Sequence, residues 1–186
     1  SSDGVVTTLS SGTATSVSII STDNSTTDTV VITAISGDDA IVFNNGAVAT
    51  DTSDDAASGF AVTLTATSGT LTAAGGITVN GNLGSDSTGA TSLIITTGTT
   101  LVSDITMVST ATSATAGAAV NKNTLTVQDG AVVTGNITLN AGTTDKLDAV
   151  AVLGGAGEAG VTVTGSVLSA GAAQGVITVN GDTTIT

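Results

Sequence analysis

Carboxylates are nearly the whole chemical repertoire of this 186-residue chain. It carries 14 Asp and a single Glu, Glu158, against two cations, Lys122 and Lys146, and it has no His, Cys, Arg, Tyr or Trp. Without imidazole or thiolate, a Ser nucleophile would need Lys or a carboxylate as its base, and both lysines fall in polar, turn-like contexts. Paired carboxylates can hydrolyse glycosides. The pairs Asp38-Asp39 and Asp54-Asp55, however, are adjacent in sequence and would point apart on a strand. Sugars also favour aromatic platforms, and the chain holds only two Phe. The expectation is a protein that is not an enzyme, with no catalytic residues.

Oxygen-only ligand sets suit Ca²⁺ or Mg²⁺. The candidate calcium ligands are Asp38 and Asp39, which follow Gly37, and Asp51, Asp54 and Asp55 in the run from Asp51 to Ser58. Asp145 and Asp148 could contribute. None of these stretches has the EF-hand pattern, and Gly-Gly-x-Gly-x-Asp never occurs. The competing reading is that these aspartates bond nearby backbone in turns and keep loops soluble. Two triplets, Asn24-Ser25-Thr26 and Asn136-Ile137-Thr138, fit the N-glycosylation pattern, but chance supplies such triplets in a chain with 39 Thr. The second also falls inside a strand pattern.

The formal charge of −13 argues against nucleic acid and anionic membranes, whose phosphates must be met by cations. No apolar run approaches the 18 or so residues of a membrane span, so no direct membrane insertion is expected. The lack of Cys removes disulfides and is shared by secreted bacterial proteins that cross a membrane unfolded. The chain starts Ser1-Ser2-Asp3, as a processed or trimmed chain would. It stops at Thr184-Ile185-Thr186 within a strand pattern, as expected of a fragment or of an end that pairs with another subunit.

Helix-favouring residues other than Ala and Leu are scarce, whereas β-branched residues alternate with polar ones. Examples are Ala61–Thr65, Ile77–Asn80, Leu125–Gln128, Ile137–Asn140, Val161–Thr164 and Ile177–Asn180. Turn signals follow, among them Asn80-Gly81, Asp129-Gly130 and Asn180-Gly181, and Asn-Gly also marks hairpins. The pentapeptide Ile77–Gly81 recurs identically as Ile177–Gly181, with looser copies starting at Leu125, Ile137 and Val161. A strand and turn every 8–12 residues or so fits an all-β fold. The fold class expected is a degenerate β-solenoid, with a β-sandwich as the alternative. The shortage of aromatics favours the thin core of the solenoid. Residues 1–60 read as an N-terminal β region with Asp-rich loops, and 61–186 as a repetitive β region that could be continuous with it.

Thr63-Leu64-Thr65, Thr124-Leu125-Thr126 and Thr162-Val163-Thr164 would stack in a solenoid as flat arrays of hydroxyls and methyls. These are similar to the arrays of β-solenoid antifreeze proteins, which repeat the triplet at a fixed period. Here the spacing wanders, and Thr is in any case a favoured exposed strand residue.

With phrases such as Gly135–Gly142 and Gly175–Gly181, no Cys and an abundance of Thr, Gly, Ala, Asn and Asp, residues 60–186 resemble bacterial autotransporter passengers and related surface-layer or filamentous adhesin proteins. The resemblance implies an extended β-helix at a cell surface. The expected function is a secreted structural protein whose copies self-assemble into a coat, S-layer or filament. The alternative is an adhesin fragment binding glycan or protein. The absence of Trp, Tyr and Arg, the usual binding hot spots, favours repeated weak contacts between copies.

Overall fold

A short strand with one aliphatic face cannot bury that face alone, so it must stack on others like itself. In the computed structural model this happens in three directions at once. The structure describes residues 4–6, 16–21, 28–45, 59–81, 91–109, 123–141, 149–155, 159–171 and 175–186. Strands β1 (Gly4–Val6), β2 (Ser16–Ser21), β3 (Asp28–Ile32) and β4 (Ala40–Asn45) come first. Four coils of three strands each follow. The first is β5 (Phe60–Leu64), β6 (Thr70–Thr72) and β7 (Ile77–Asn80), and the second is β8 (Thr91–Ile95), β9 (Thr100–Val102) and β10 (Ile105–Val108). The third is β11 (Asn123–Val127), β12 (Val132–Thr134) and β13 (Ile137–Ala141), and the fourth is β14 (Ala149–Leu153), β15 (Val161–Thr164) and β16 (Val167–Gly171). The last strands are β17 (Gly175–Val179) and β18 (Thr183–Ile185).

These strands form a seven-stranded sheet in the order β1-β3-β5-β8-β11-β14-β17, a six-stranded sheet β2-β4-β7-β10-β13-β16, and a five-stranded sheet β6-β9-β12-β15-β18. Every strand pair among the described residues is parallel, and no helix occurs among them. The fold is therefore a β-solenoid, and the sandwich and hairpin alternatives fall away. Asp129-Gly130 turns the chain from one sheet to the next, with Gly130 at φ 74°.

Alternation along each strand becomes a column across coils. Ile32, Leu64, Ile95, Val127 and Leu153 are in register in the seven-stranded sheet and wholly buried. Ile41, Ile77, Ile105 and Ile137 line the six-stranded sheet, and Leu71, Leu101, Val133 and Val163 the five-stranded one. Each buried aliphatic side chain contributes about 1.5–3 kcal/mol. The two Phe, Phe43 and Phe60, meet edge to face at 6.3 Å and 60°.

The corners hold the columns in register. Between the five- and six-stranded sheets, the Asn136 N–H donates to Asp104 Oδ1 at 2.6 Å and the Ser166 N–H to Asn136 Oδ1 at 3.0 Å. Asn136 thus lies in a corner and not inside a strand. Gly135, just before it, has φ 146°, and a Cβ there would sit 2.1 Å from the Ser103 carbonyl oxygen. Between the six- and seven-stranded sheets the corner is buried and polar. Asn45 Nδ2 donates to Thr91 Oγ1, and Asn123 Nδ2 donates to the carbonyls of Val79 at 2.8 Å and Val108 at 3.0 Å.

The recurring pentapeptide does not mark equivalent places in the stack. Ile77 opens β7 in the six-stranded sheet, whereas Ile177 belongs to β17 in the seven-stranded one. The true repeat is the coil, which aligns Ile77, Ile105, Ile137 and Val167 at roughly 30-residue intervals, inside the range usual for solenoids.

Candidate functional site

Asp38 and Asp39 lie in a bend before β4, Asp38 exposed and Asp39 half-buried. The bend packs on the coil above, where the Ala74 N–H donates to the Gly37 carbonyl at 3.2 Å. At Gly75 a Cβ would fall 2.3 Å from the Ala40 nitrogen. Asp51, Asp54 and Asp55 lie outside the described residues, as do Asp145, Asp148, Lys122, Lys146 and Asn24. Among the described residues no three His, Cys, Asp or Glu side chains come together in a way that could hold a metal ion. Three of the placed carboxylates accept hydrogen bonds within the stack, two from backbone N–H groups and one from a hydroxyl. Asp104 caps the Asn136 N–H, Asp129 Oδ1 accepts from the Gly155 N–H at 2.7 Å, and Asp28 Oδ2 accepts from Ser21 Oγ at 2.7 Å.

Two surfaces stand out from the regular body. One is the outer face of the five-stranded sheet. Its strands are three residues long, β15 alone having four, and each presents two side chains outward around one inward aliphatic. The register aligns Thr70, Thr100, Val132, Thr162 and Thr184 in one column. Thr72, Val102, Thr134 and Thr164 form the other. Thr186 continues the second column, because its N–H donates to the Val163 carbonyl at 3.0 Å and its carbonyl accepts from the Gly165 N–H at 2.8 Å. Of the three Thr-x-Thr triplets singled out above, Thr162-Val163-Thr164 belongs here, together with two further triplets, Thr70-Leu71-Thr72 and Thr184-Ile185-Thr186. Thr63 and the Thr124/Thr126 pair face outward from the seven-stranded sheet, in columns shared with Ala61, Ser92, Ile94 and Val152. Thr100 and Thr134 fall outside the triplet pattern, because Val102 and Val132 take the other outward place on their strands.

The second surface is the C-terminal end of the stack. Ile177, Val179 and Ile185 occupy the inward columns of Ala151, Leu153 and Val163. Those three partners are fully buried, yet Ile177, Val179 and Ile185 are 41%, 53% and 45% exposed. The strands β16, β17 and β18 end their sheets and leave one row of backbone donors and acceptors unpaired by any described strand.

No protein-family model matches the chain, and no curated protein or solved structure is significantly similar to it.

Proposed function

We propose that the chain is a structural component of a secreted or cell-surface coat, S-layer or filament, and that its copies join end to end by stacking coil on coil. The observation that supports this reading is the stack itself, three parallel sheets in which each coil buries its aliphatic columns against an equivalent coil. Unpaired β edges beside exposed aliphatics recruit further strands. The seven- and six-stranded sheets run from β1 and β2 to β17 and β16 among the described residues, and coils of a second copy stacked head to tail would prolong both sheets in the same sense. Such a contact is heterologous and leaves a free end after every addition, which yields filaments and not closed rings. The missing Cys, the acidic surface and the resemblance to autotransporter passengers support an extracellular setting. Calcium bound by Asp38, Asp39, Asp51, Asp54 and Asp55 would add a bridge between loops.

Electron microscopy and light scattering of the purified chain, with millimolar Ca²⁺ and again with chelator, test the proposal. Fibres or ordered sheets whose mass grows with concentration are expected. The substitutions Ile177→Asp and Val179→Asp should abolish them, while Thr178→Asp, on the outward face of the same strand, should not. Loss of order in chelator alone assigns calcium to the assembly. Monodisperse monomers in both conditions overturn self-assembly and leave the adhesin reading.

A further inference from the structure

We infer that the outer face of the five-stranded sheet is a binding surface for ice. Eight of its ten outward positions are Thr and the other two are Val132 and Val102. Strand preference alone does not account for this. The outer columns of the seven-stranded sheet, under the same preference, mix Thr29, Ala61, Ser92, Thr124 and Val150 in one and Val31, Thr63, Ile94, Thr126 and Val152 in the other. Only the five-stranded face is confined to one shape of side chain, a β-branched group with a methyl and either a hydroxyl or a second methyl.

The geometry supplies a two-dimensional lattice. Neighbouring parallel strands are about 4.8 Å apart, and alternate residues on one strand are separated by about 6.6 Å. These repeats are close to those of the oxygen sublattice on the prism face of ice. β-Branching restricts χ1, so the hydroxyls and methyls recur with the lattice and do not wander. The corner beside the face is locked by the Asp104–Asn136–Ser166 chain of hydrogen bonds and by the close approach of Gly165, where an added Cβ would fall 2.3 Å from the Gly135 carbonyl oxygen. Coil cannot slide on coil there without breaking those contacts.

Charge and area narrow the ligand. The chain carries a net charge of −13, yet none of the ten face positions is charged. An uncharged, hydrogen-bonding, periodic surface is the complement of such a face. Its footprint is roughly 300 Å², from five strands and two columns at the spacings above. A stable protein interface takes about 800 Å² from each partner. The face also offers no aromatic ring on which a sugar could stack. A crystalline ligand overcomes small area because every hydroxyl and methyl meets an identical neighbour on one rigid plane. This inference is independent of end-to-end assembly.

The test is to grow an ice hemisphere in a dilute solution of the fluorescently labelled chain and to measure thermal hysteresis on single crystals in parallel. Incorporation into the ice, faceted crystals and a hysteresis gap are expected for the unaltered chain and for Thr126→Lys on the seven-stranded face. Loss of all three is expected for Thr134→Lys and Thr164→Lys, with circular dichroism and melting temperature unchanged. Exclusion of the unaltered chain from ice overturns the inference whatever the variants do. So does equal activity in Thr134→Lys, Thr164→Lys and Thr126→Lys. Adsorption to crystalline cellulose or chitin without any effect on ice would reassign the face to a polysaccharide.

Discussion

Asn45 and Thr91, 46 positions apart in sequence, are joined by a 3.0 Å hydrogen bond from the Asn45 amide to the Thr91 hydroxyl, and each is only 1% exposed. One lies at the end of β4 and the other at the start of β8, so the bond ties the close of one coil to the opening of another. Leaving a buried donor without its acceptor costs about 1–3 kcal/mol. Thr91→Val should lower the unfolding free energy by about that amount with little change of shape. Urea denaturation measures it, and an unchanged midpoint would remove this corner from the list of stabilising contacts.

Gly135 should tolerate no side chain. Its φ of 146° is a region that L-residues rarely adopt, and the added Cβ would meet the Ser103 carbonyl oxygen at 2.1 Å. Backbone strain costs about 1–3 kcal/mol and overpacking a similar amount. Gly135→Ala is expected to destabilise the chain by about 2–5 kcal/mol, read from thermal or denaturant melts. Gly98, around which a Cβ meets nothing within 4 Å although φ is 73°, should cost less.

Position along the stack should set the cost of truncating an aliphatic. Leu101 is fully buried between Leu71 and Val133, whereas Ile185 is 45% exposed at the end of the same column. Leu101→Ala should cost about 2–5 kcal/mol, as core truncations do. Ile185→Ala should cost well under half of that. Equal losses in the two variants would show that the terminal coil is buried in solution and would itself support stacking between copies.

If copies stack end to end, salt should help them. A charge of −13 on a 17.5 kDa chain opposes close approach of like molecules. Raising the ionic strength from about 0.01 M to about 0.15 M shortens the Debye length from about 30 Å to about 8 Å. Light scattering should then record faster growth of assembled mass. A contact held mainly by charge pairs would respond in the opposite sense.

The architecture could be read from alternation and composition, because each strand writes its inward and outward faces directly into a period of two. The three-sided path could not. Identical words, Ile77–Gly81 and Ile177–Gly181, stand in different sheets, since any short strand followed by a turn serves at any side of the coil. The face of Thr residues was hidden for a related reason. Thr70 and Thr100, or Thr134 and Thr164, become neighbours only after the segments between β7 and β8, β10 and β11, and β13 and β14 are taken out of the count. Those segments differ in length, and they absorb the irregularity that makes the sequence period wander. Of the acidic candidates, Asp38 and Asp39 look in sequence like any carboxylate pair. What decides their surroundings is Gly75 on the adjacent coil, a contact that no local pattern records.

Parallel pairing gives the stack a mechanical character. The ladder bonds between neighbouring coils, such as those joining Ile105 to Ile137 and Leu125 to Ala151, run along the axis on which the coils pile up. Traction on that axis loads the backbone bonds of one coil boundary in line, and the boundary nearest the pulled end yields first. Each released coil adds slack before the next is strained. Under load the molecule should lengthen by successive slips of similar size, a shock absorber that gives way coil by coil.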